Sequence, residues 1–344
     1  MKCKMAGIRP VMITGDHKLT AVAIAKELDI YREGDTVLTG EEIDSMDEGS
    51  LEKAAATTTV YARVSPKHKL AIVRALKRLG SIVAMTGDGV NDAPAVKEAD
   101  IGVAMGRTGT DVTKEASSMV LMDDNFATIV AAIEEGRVIY SNIRKFIRYM
   151  LSCNLGEVLT MFLGMLAGFP VPLLPIQILW VNLVTDGLPA VALGFDPPEK
   201  DIMKQRPRDP EESIFSQGLA GLIIVRGILI GLATLAVYAS LLWYTADIGL
   251  ARTGGFVTLV LSQLIHVFEC KSETRNIFRI PLFNNIFLVL AVICSLVMML
   301  GVIYIPVLQN IFKTVPLGLN EWMIAGGLSF LAPVLTSIFM PRRR

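Results

Sequence analysis

The run Thr86-Gly-Asp-Gly-Val-Asn-Asp92 puts two carboxylates, Asp88 and Asp92, and the amide of Asn91 on a glycine-containing loop directly after the apolar stretch Ser81-Ile-Val-Ala-Met85. Paired carboxylates beside accessible backbone amides suit Mg2+ held against a phosphoryl group, because the metal prefers hard oxygens and the amides bind phosphoryl oxygens. A second such turn, Thr14-Gly15-Asp16, follows the stretch Pro10-Val-Met-Ile13. Lys69, just after Ser65-Pro66, could neutralise phosphoryl charge; alone among Lys67, His68, Arg74 and Lys77 it could equally be a solvated lysine. Farther along, a different set of oxygens lies within long apolar segments. Asn154 and Glu157 are three apart, and Asn182, Thr185 and Asp186 are spaced i, i+3, i+4, so each group shares a helix face. A charged side chain at a bilayer centre costs roughly 2.5–3.5 kcal/mol, so two carboxylates on adjacent segments need partners or a function. Carboxylate, amide and hydroxyl oxygens together suit a hard divalent cation, Ca2+ or Mn2+. Gly187 and Pro189 would loosen the helix there and free carbonyls for coordination. Phosphoryl chemistry in one region and a cation site within lipid in the other imply an ion pump driven by phosphorylation.

These residues need elements to place them. The first 145 residues alternate strand-like and helix-like runs: strands at Pro10–Thr14, Thr59–Ala62, Ser81–Thr86, Ile101–Ala104 and Ser118–Leu121, and helices at His17–Leu28, Glu41–Ala56 (interrupted at Gly49) and Lys67–Leu79, the last opened by Pro66. This alternation predicts a parallel, doubly wound sheet, with ligands beyond the carboxyl ends of its strands, where both Thr-Gly-Asp turns fall. From Phe126 one helix should run unbroken through Tyr140 into the apolar region, able to couple the two regions mechanically.

Six apolar segments follow, at about 146–168, 174–195, 217–243, 253–270, 285–305 and 322–340, each near the ~20 residues that span a bilayer. Basic residues gather at alternate connections: Arg144, Lys145 and Arg148; Lys200, Lys204, Arg206 and Arg208; Lys271, Arg275 and Arg279; and Arg342, Arg343 and Arg344. The opposite connections carry Arg252 and Lys313, so both termini are expected in the cytosol. The opening residues, Met1 to Gly7, are too polar for a cleavable signal peptide, which also places the soluble part there. Gln263 and His266 share a face of the fourth segment, where ion contact and interhelical hydrogen bonding are both open. Arg226 and Glu269 lie near segment ends and can snorkel. The four cysteines, Cys3, Cys153, Cys270 and Cys294, show no paired spacing, and Cys153 and Cys294 read as ordinary apolar residues. A formal net charge of zero gives no electrostatic reason to expect nucleic acid as a partner.

Four stretches resemble the P-type cation-transporting ATPases, specifically the type II calcium pumps: Met12–Asp16, Ala62–Lys69, Met85–Pro94 and Trp180–Pro189. The likeness covers essentially the whole chain. It implies an α/β haloacid-dehalogenase-like (Rossmann-type) partial phosphorylation domain over 1–145, then an all-α bundle of six transmembrane helices over 146–344, equivalent to the last six of ten. By resemblance Asp88 is a Mg2+ ligand. Asn91 and Asp92 support the phosphoryl site; Lys69 and Thr14, in the turn with Gly15 and Asp16, contact the phosphorylated carboxylate. Asn154, Glu157, Asn182, Thr185 and Asp186 match cation-binding positions. Relatives with two calcium sites carry a glutamate where this chain has Gln263, which puts the site built around Glu157 in doubt and suggests one ion per cycle. The Asp-Lys-Thr-Gly-Thr nucleophile motif does not occur in the sequence; nor do a nucleotide-binding domain, an actuator domain or the first four helices. A complete pump would take the phosphoryl group from ATP and transport Ca2+, with Mn2+ as the alternative. The chain alone should be inactive, as a half-pump awaiting an N-terminal partner or as a non-catalytic truncated membrane protein. Which membrane holds it is left open.

Overall fold

The computed structural model describes residues 2–339 apart from 200, 274 and 276. Lys200, Arg342, Arg343, Arg344 and the end of the sixth predicted segment lie outside the described residues. The chain divides into two units, Met1–Gly136 with Asp201–Arg208, and Arg137–Lys200 with Asp209–Arg344.

In the first unit, β1 (Met12–Ile13), β2 (Thr36–Thr39) and β3 (Thr58–Ala62) form a parallel sheet in the order β1-β3-β2. A second parallel sheet joins β4 (Ala84–Gly87), β5 (Ile101–Met105) and β6 (Met119–Leu121) in that order. The expected single sheet is thus two three-stranded ones, and β1 and β4 each pair on one side only. The central strands are the most apolar, as strands covered on both faces must be: Val60, Tyr61 and Ala62, and Val103 and Ala104, are buried.

Short helices intervene: α1 (Lys2–Met5), α2 (Lys18–Glu27), α3 (Gly40–Asp44), α4 (Glu48–Ala55), α5 (Pro66–Arg78), α6 (Ala93–Glu98) and α7 (Asp111–Ala116). The single helix expected over Glu41–Ala56 is two. The break falls at Ser45-Met46-Asp47, where the Asp47 carboxylate accepts the Ser50 N–H at 3.0 Å and caps α4, so Gly49 sits inside a helix. Strand β2 is an addition, its Val37 and Leu38 too short a run to read from the sequence. At α5, Pro66 takes the first turn and Ser65 caps it, with the His68 ring Nδ1 accepting the Ser65 N–H at 3.1 Å.

Asp124 clasps the loop after β5. Its carboxylate accepts the Arg107 and Thr108 N–H groups at 3.0 and 2.9 Å and the Thr108 hydroxyl at 2.9 Å. The Arg107 amide leads in holding this carboxyl down at about 2. A depressed acid stabilises the fold above its unfolded value near ~3.9 and loses that contribution as pH falls through the folded value. We predict that amide protection at Arg107 and Thr108 persists at neutral pH and declines from about pH 4 to about pH 2. An Asp124→Asn variant should show no such decline in hydrogen exchange.

Helix α8 (Phe126–Leu166) runs unbroken for 41 residues, about 60 Å at 1.5 Å per residue, as expected. The second unit continues through α9 (Pro175–Trp180), a π-helical turn (Val181–Asp186), α10 (Gly187–Leu193), α11 (Leu219–Thr245), α12 (Ile248–Glu269), α13 (Ile286–Tyr304), α14 (Pro306–Phe312) and α15 (Leu319–Phe339). Among the described residues five helices are long and apolar enough to cross a membrane: Phe126–Leu166, Pro175–Leu193, Leu219–Thr245, Ile248–Glu269 and Ile286–Tyr304. The sixth predicted segment coincides with α15, whose apolar stretch Leu319–Leu335 is shorter. Helices α8 and α11 approach closely at glycine. A Cβ on Gly156 would lie 2.7 Å from Ile230, and one on Gly227 would lie 2.7 Å from Leu155.

Candidate functional sites

In the first unit the loop after β4 is built on a close approach. A Cβ on Gly87 would sit 2.6 Å from that of Asp92, so only glycine lets the strand end pass the start of the following turn. Gly89 and Asp88 then give their carbonyls to the Thr113 hydroxyl at 2.8 Å and the Thr110 N–H at 2.9 Å, pinning the loop to α7. Asp92 is buried, and Lys69 Nζ donates to its Oδ1 at 2.5 Å. Asp88 and Asn91 remain exposed. On the other sheet the Thr14 hydroxyl donates to Asp16 Oδ2 at 2.9 Å and accepts the Asp16 N–H at 3.1 Å, while Gly15 is exposed. The fold therefore joins Lys69 to Asp92 and Thr14 to Asp16, and pairs none of these with Asp88 or Asn91. Ile13 of β1 and Met85 of β4 border one apolar cluster with Val73 of α5 and Val96 of α6. An exposed hard carboxylate, Asp88, beside a lysine-paired one fits a Mg2+ ion that keeps water and phosphate among its ligands.

In the second unit, Glu157 on α8 accepts from Asn182 Nδ2 at 3.0 Å and from Gln263 Nε2 of α12 at 2.9 Å. One turn on from Asn182, Asp186 accepts from the Tyr149 hydroxyl at 3.0 Å. Tyr149, Thr185, Asp186 and Gln263 have no exposed surface. Buried Thr185 Oγ1, Asp186 Oδ2 and Gln263 Oε1 have no hydrogen-bond partner, so this cluster holds acceptor oxygens that the protein itself does not satisfy. Asn154, by contrast, is exposed, apart from this cluster. Among the described residues no three His, Cys, Asp or Glu side chains converge into a metal site; neutral oxygens make up the rest of the donor set here.

The π-helical turn has an identifiable cause. Pro189 has no N–H for the carbonyl four residues back, that of Thr185, and this freed oxygen lies 3.2 Å from the Tyr149 hydroxyl, whose one proton it shares with Asp186 Oδ1. The loosening expected at Gly187 and Pro189 thus falls on the turn that carries Asn182, Thr185 and Asp186.

Beside this cluster lies a second polar group that the sequence reading placed at the interface. Arg226 and Glu269 do not snorkel: both are buried, joined at 2.6 Å, with the His266 ring Nδ1 2.9 Å from Glu269 and accepting the Arg226 Nε–H at 3.0 Å. Arg148 donates to the carbonyls of Glu269 and Ser272 at 3.3 and 2.9 Å. Arg144, Lys145 and Lys271, read as topological charges, are buried as well. Asp196 accepts from Lys145 at 2.7 Å, Lys271 at 2.8 Å and Asn285 at 3.2 Å. Arg144 pairs with Glu273 at 2.9 Å. Tyr149 and Asp196 went unread because neither belongs to a spaced motif; Tyr149 could have been found, as it lies two turns before Glu157 on the face that Glu157 occupies.

Two parallel half-sheets thus carry Thr-Gly-Asp turns beyond their carboxyl ends, and the apolar helices that follow hold two buried carboxylates, Glu157 and Asp186. Residues 2–100 match the model of the haloacid dehalogenase-like hydrolases, and residues 170–340 match that of the cation transporting ATPase C-terminus. The chain belongs to this ATPase family and carries its C-terminal region. It is 54% identical over 97% of its length to a calcium-transporting ATPase of Bacillus subtilis, 49% over 98% to calcium-transporting ATPase 1 of Bacillus cereus, and 41% over 97% to an endoplasmic reticulum calcium ATPase of Aspergillus fumigatus. It spans 38%, 40% and 38% of those relatives' own lengths.

Proposed function

We propose that this chain is the C-terminal part of an ATP-driven cation pump working through an aspartyl-phosphate, with Ca2+ as the transported ion and Mn2+ as the alternative. The observation that carries this reading is the set of buried acceptors, Asp186 Oδ2, Thr185 Oγ1 and Gln263 Oε1, that lie without donors beside Glu157 and Asn182. Divalent metal prefers such oxygens, and Ca2+ accepts their mixed, irregular arrangement more readily than Mg2+. Asn154, exposed in this chain, takes part only once further helices cover it.

At the other site the nucleophile comes from outside this sequence. A strand of an N-terminal half pairs with the free sides of β1 and β4 and brings its aspartate between the two Thr-Gly-Asp mouths. There Lys69 and the Thr14 hydroxyl face the phosphorylated carboxylate, Asn91 supports the phosphoryl group, and Asp92 holds Lys69 in place. Asp88 would hold Mg2+, which neutralises charge on the phosphoryl oxygens when bound. Helix α8 links this loop region to the cation cluster. Six spans with both termini in the cytosol complete the reading, and the lipid bilayer, the cation and the N-terminal half are the partners.

The isolated chain should form no acid-stable phosphoenzyme, and co-expression with an N-terminal half should restore one. In that assembly Lys69→Ala should lower the phosphorylation rate on the order of 100- to 1,000-fold, the loss typical of a single charge-stabilising donor. A phosphoenzyme on the isolated chain, or a Lys69→Ala rate within a factor of a few of wild type, would sink the proposal.

A further inference from the structure

We propose that the cation cluster also contains a soft donor, the Cys153 thiol, so that the site takes thiophilic divalent cations as well as Ca2+. This rests on the reading of that cluster as the transport site. Tyr149, Cys153 and Glu157 follow one another at intervals of four on α8, and all three are buried. The outer two show where this face looks: Tyr149 reaches Asp186 at 3.0 Å, and Glu157 meets Asn182 at 3.0 Å. Cys153 lies between them on that face and shares one buried cluster with Val181, the first residue of the π-helical turn. A second observation points to a ligand there. Asp186 is fully buried, yet its Oδ2 has no donor, nor has the hydroxyl oxygen of adjacent Thr185.

One face thus offers a carboxylate, a hydroxyl and a sulfur. Ca2+ would use the oxygens alone, whereas thiolate favours softer ions such as Cd2+. On binding, the S–H bond breaks, an S–Cd bond forms and the proton leaves to the buffer; no electrons are transferred. Cys270 makes the natural comparison. It is equally buried, but its sulfur lies 3.4 Å from His266 Nε2 in the arginine-lined group.

The test uses the full 344-residue chain in lipid vesicles, with Cd2+ as probe and the sulfur-to-cadmium charge-transfer absorption as readout. The band should appear in wild type and in Cys270→Ser, and excess Ca2+ should displace it. In Cys153→Ser it should vanish, with Cd2+ affinity lower by on the order of tenfold or more. A second measurement needs no variant: bound Cd2+ should shield Cys153 from a small neutral alkylating reagent in the wild-type chain, mapped by mass spectrometry. If radiolabelled Ca2+ binds but no band forms, or the band survives Cys153→Ser, the thiol assignment is overturned and the Ca2+ reading stands. If the band depends on Cys153 but Ca2+ neither binds nor displaces it, the thiol site is not the transport site and both readings fail.

Discussion

Asp186→Asn should weaken Ca2+ binding to the membrane-embedded chain on the order of 100-fold or more. Loss of a supporting residue around a metal typically costs 10–100-fold, and removal of a buried carboxylate ligand should cost no less. The substitution is nearly isosteric and keeps an oxygen that can accept the Tyr149 hydroxyl, so the contact that positions the side chain survives. What changes is the charge and the donor-free Oδ2, replaced by an amide N–H that repels a cation. Equilibrium binding of radiolabelled Ca2+ to the chain in vesicles measures this directly. Affinity within a few-fold of wild type would remove Asp186 from the site. Glu157→Gln should cost less, because two amide groups, from Asn182 and Gln263, already share its charge.

The second large effect is on stability. Asp196 is a carboxylate shared by Lys145 and Lys271, each within 2.8 Å and all three nearly excluded from solvent. Removing one partner of a buried pair typically costs 3–5 kcal/mol, because the charge left behind is uncompensated. Asp196→Ala strands two lysines at once and should destabilise the membrane unit by at least about that much. Lys271→Met leaves Asp196 paired with Lys145 and should be milder. Unfolding in mixed detergent micelles checks both. Equal losses for the two variants, or a loss under about 1 kcal/mol for Asp196→Ala, would show that the lysines are not held by that carboxylate.

Much of this architecture is legible in the residues themselves. Pro66 and Ser65 announce α5, the absence of Pro from Ile129 to Tyr149 foretells the unbroken α8, and Thr86–Asp92 sits at a strand end because glycine is needed where β4 passes Asp92. Spacing also puts Asn182 and Asp186 on one face. What spacing cannot reveal is which face meets which helix. Gln263 reaches Glu157 across 106 positions and Lys271 reaches Asp196 across 75, and neither pair has a local signature. For the same reason Arg226 and Glu269 read as snorkelling ends rather than as a buried pair. The two half-sheets were not foreseen either, because an apolar run announces a strand without naming its neighbours.

The central claim, that this chain supplies the cation path of a phosphorylation-driven pump, is tested most directly by ATP-driven uptake of radiolabelled Ca2+ into sealed inside-out vesicles. The vesicles would carry the chain together with an N-terminal half bearing the phosphorylated aspartate. Uptake should require both parts and be abolished by Asp186→Asn, while phosphorylation from inorganic phosphate, which does not need the ion, persists. Uptake undiminished by Asp186→Asn, or no uptake from an assembly that does form the phosphoenzyme, would contradict it.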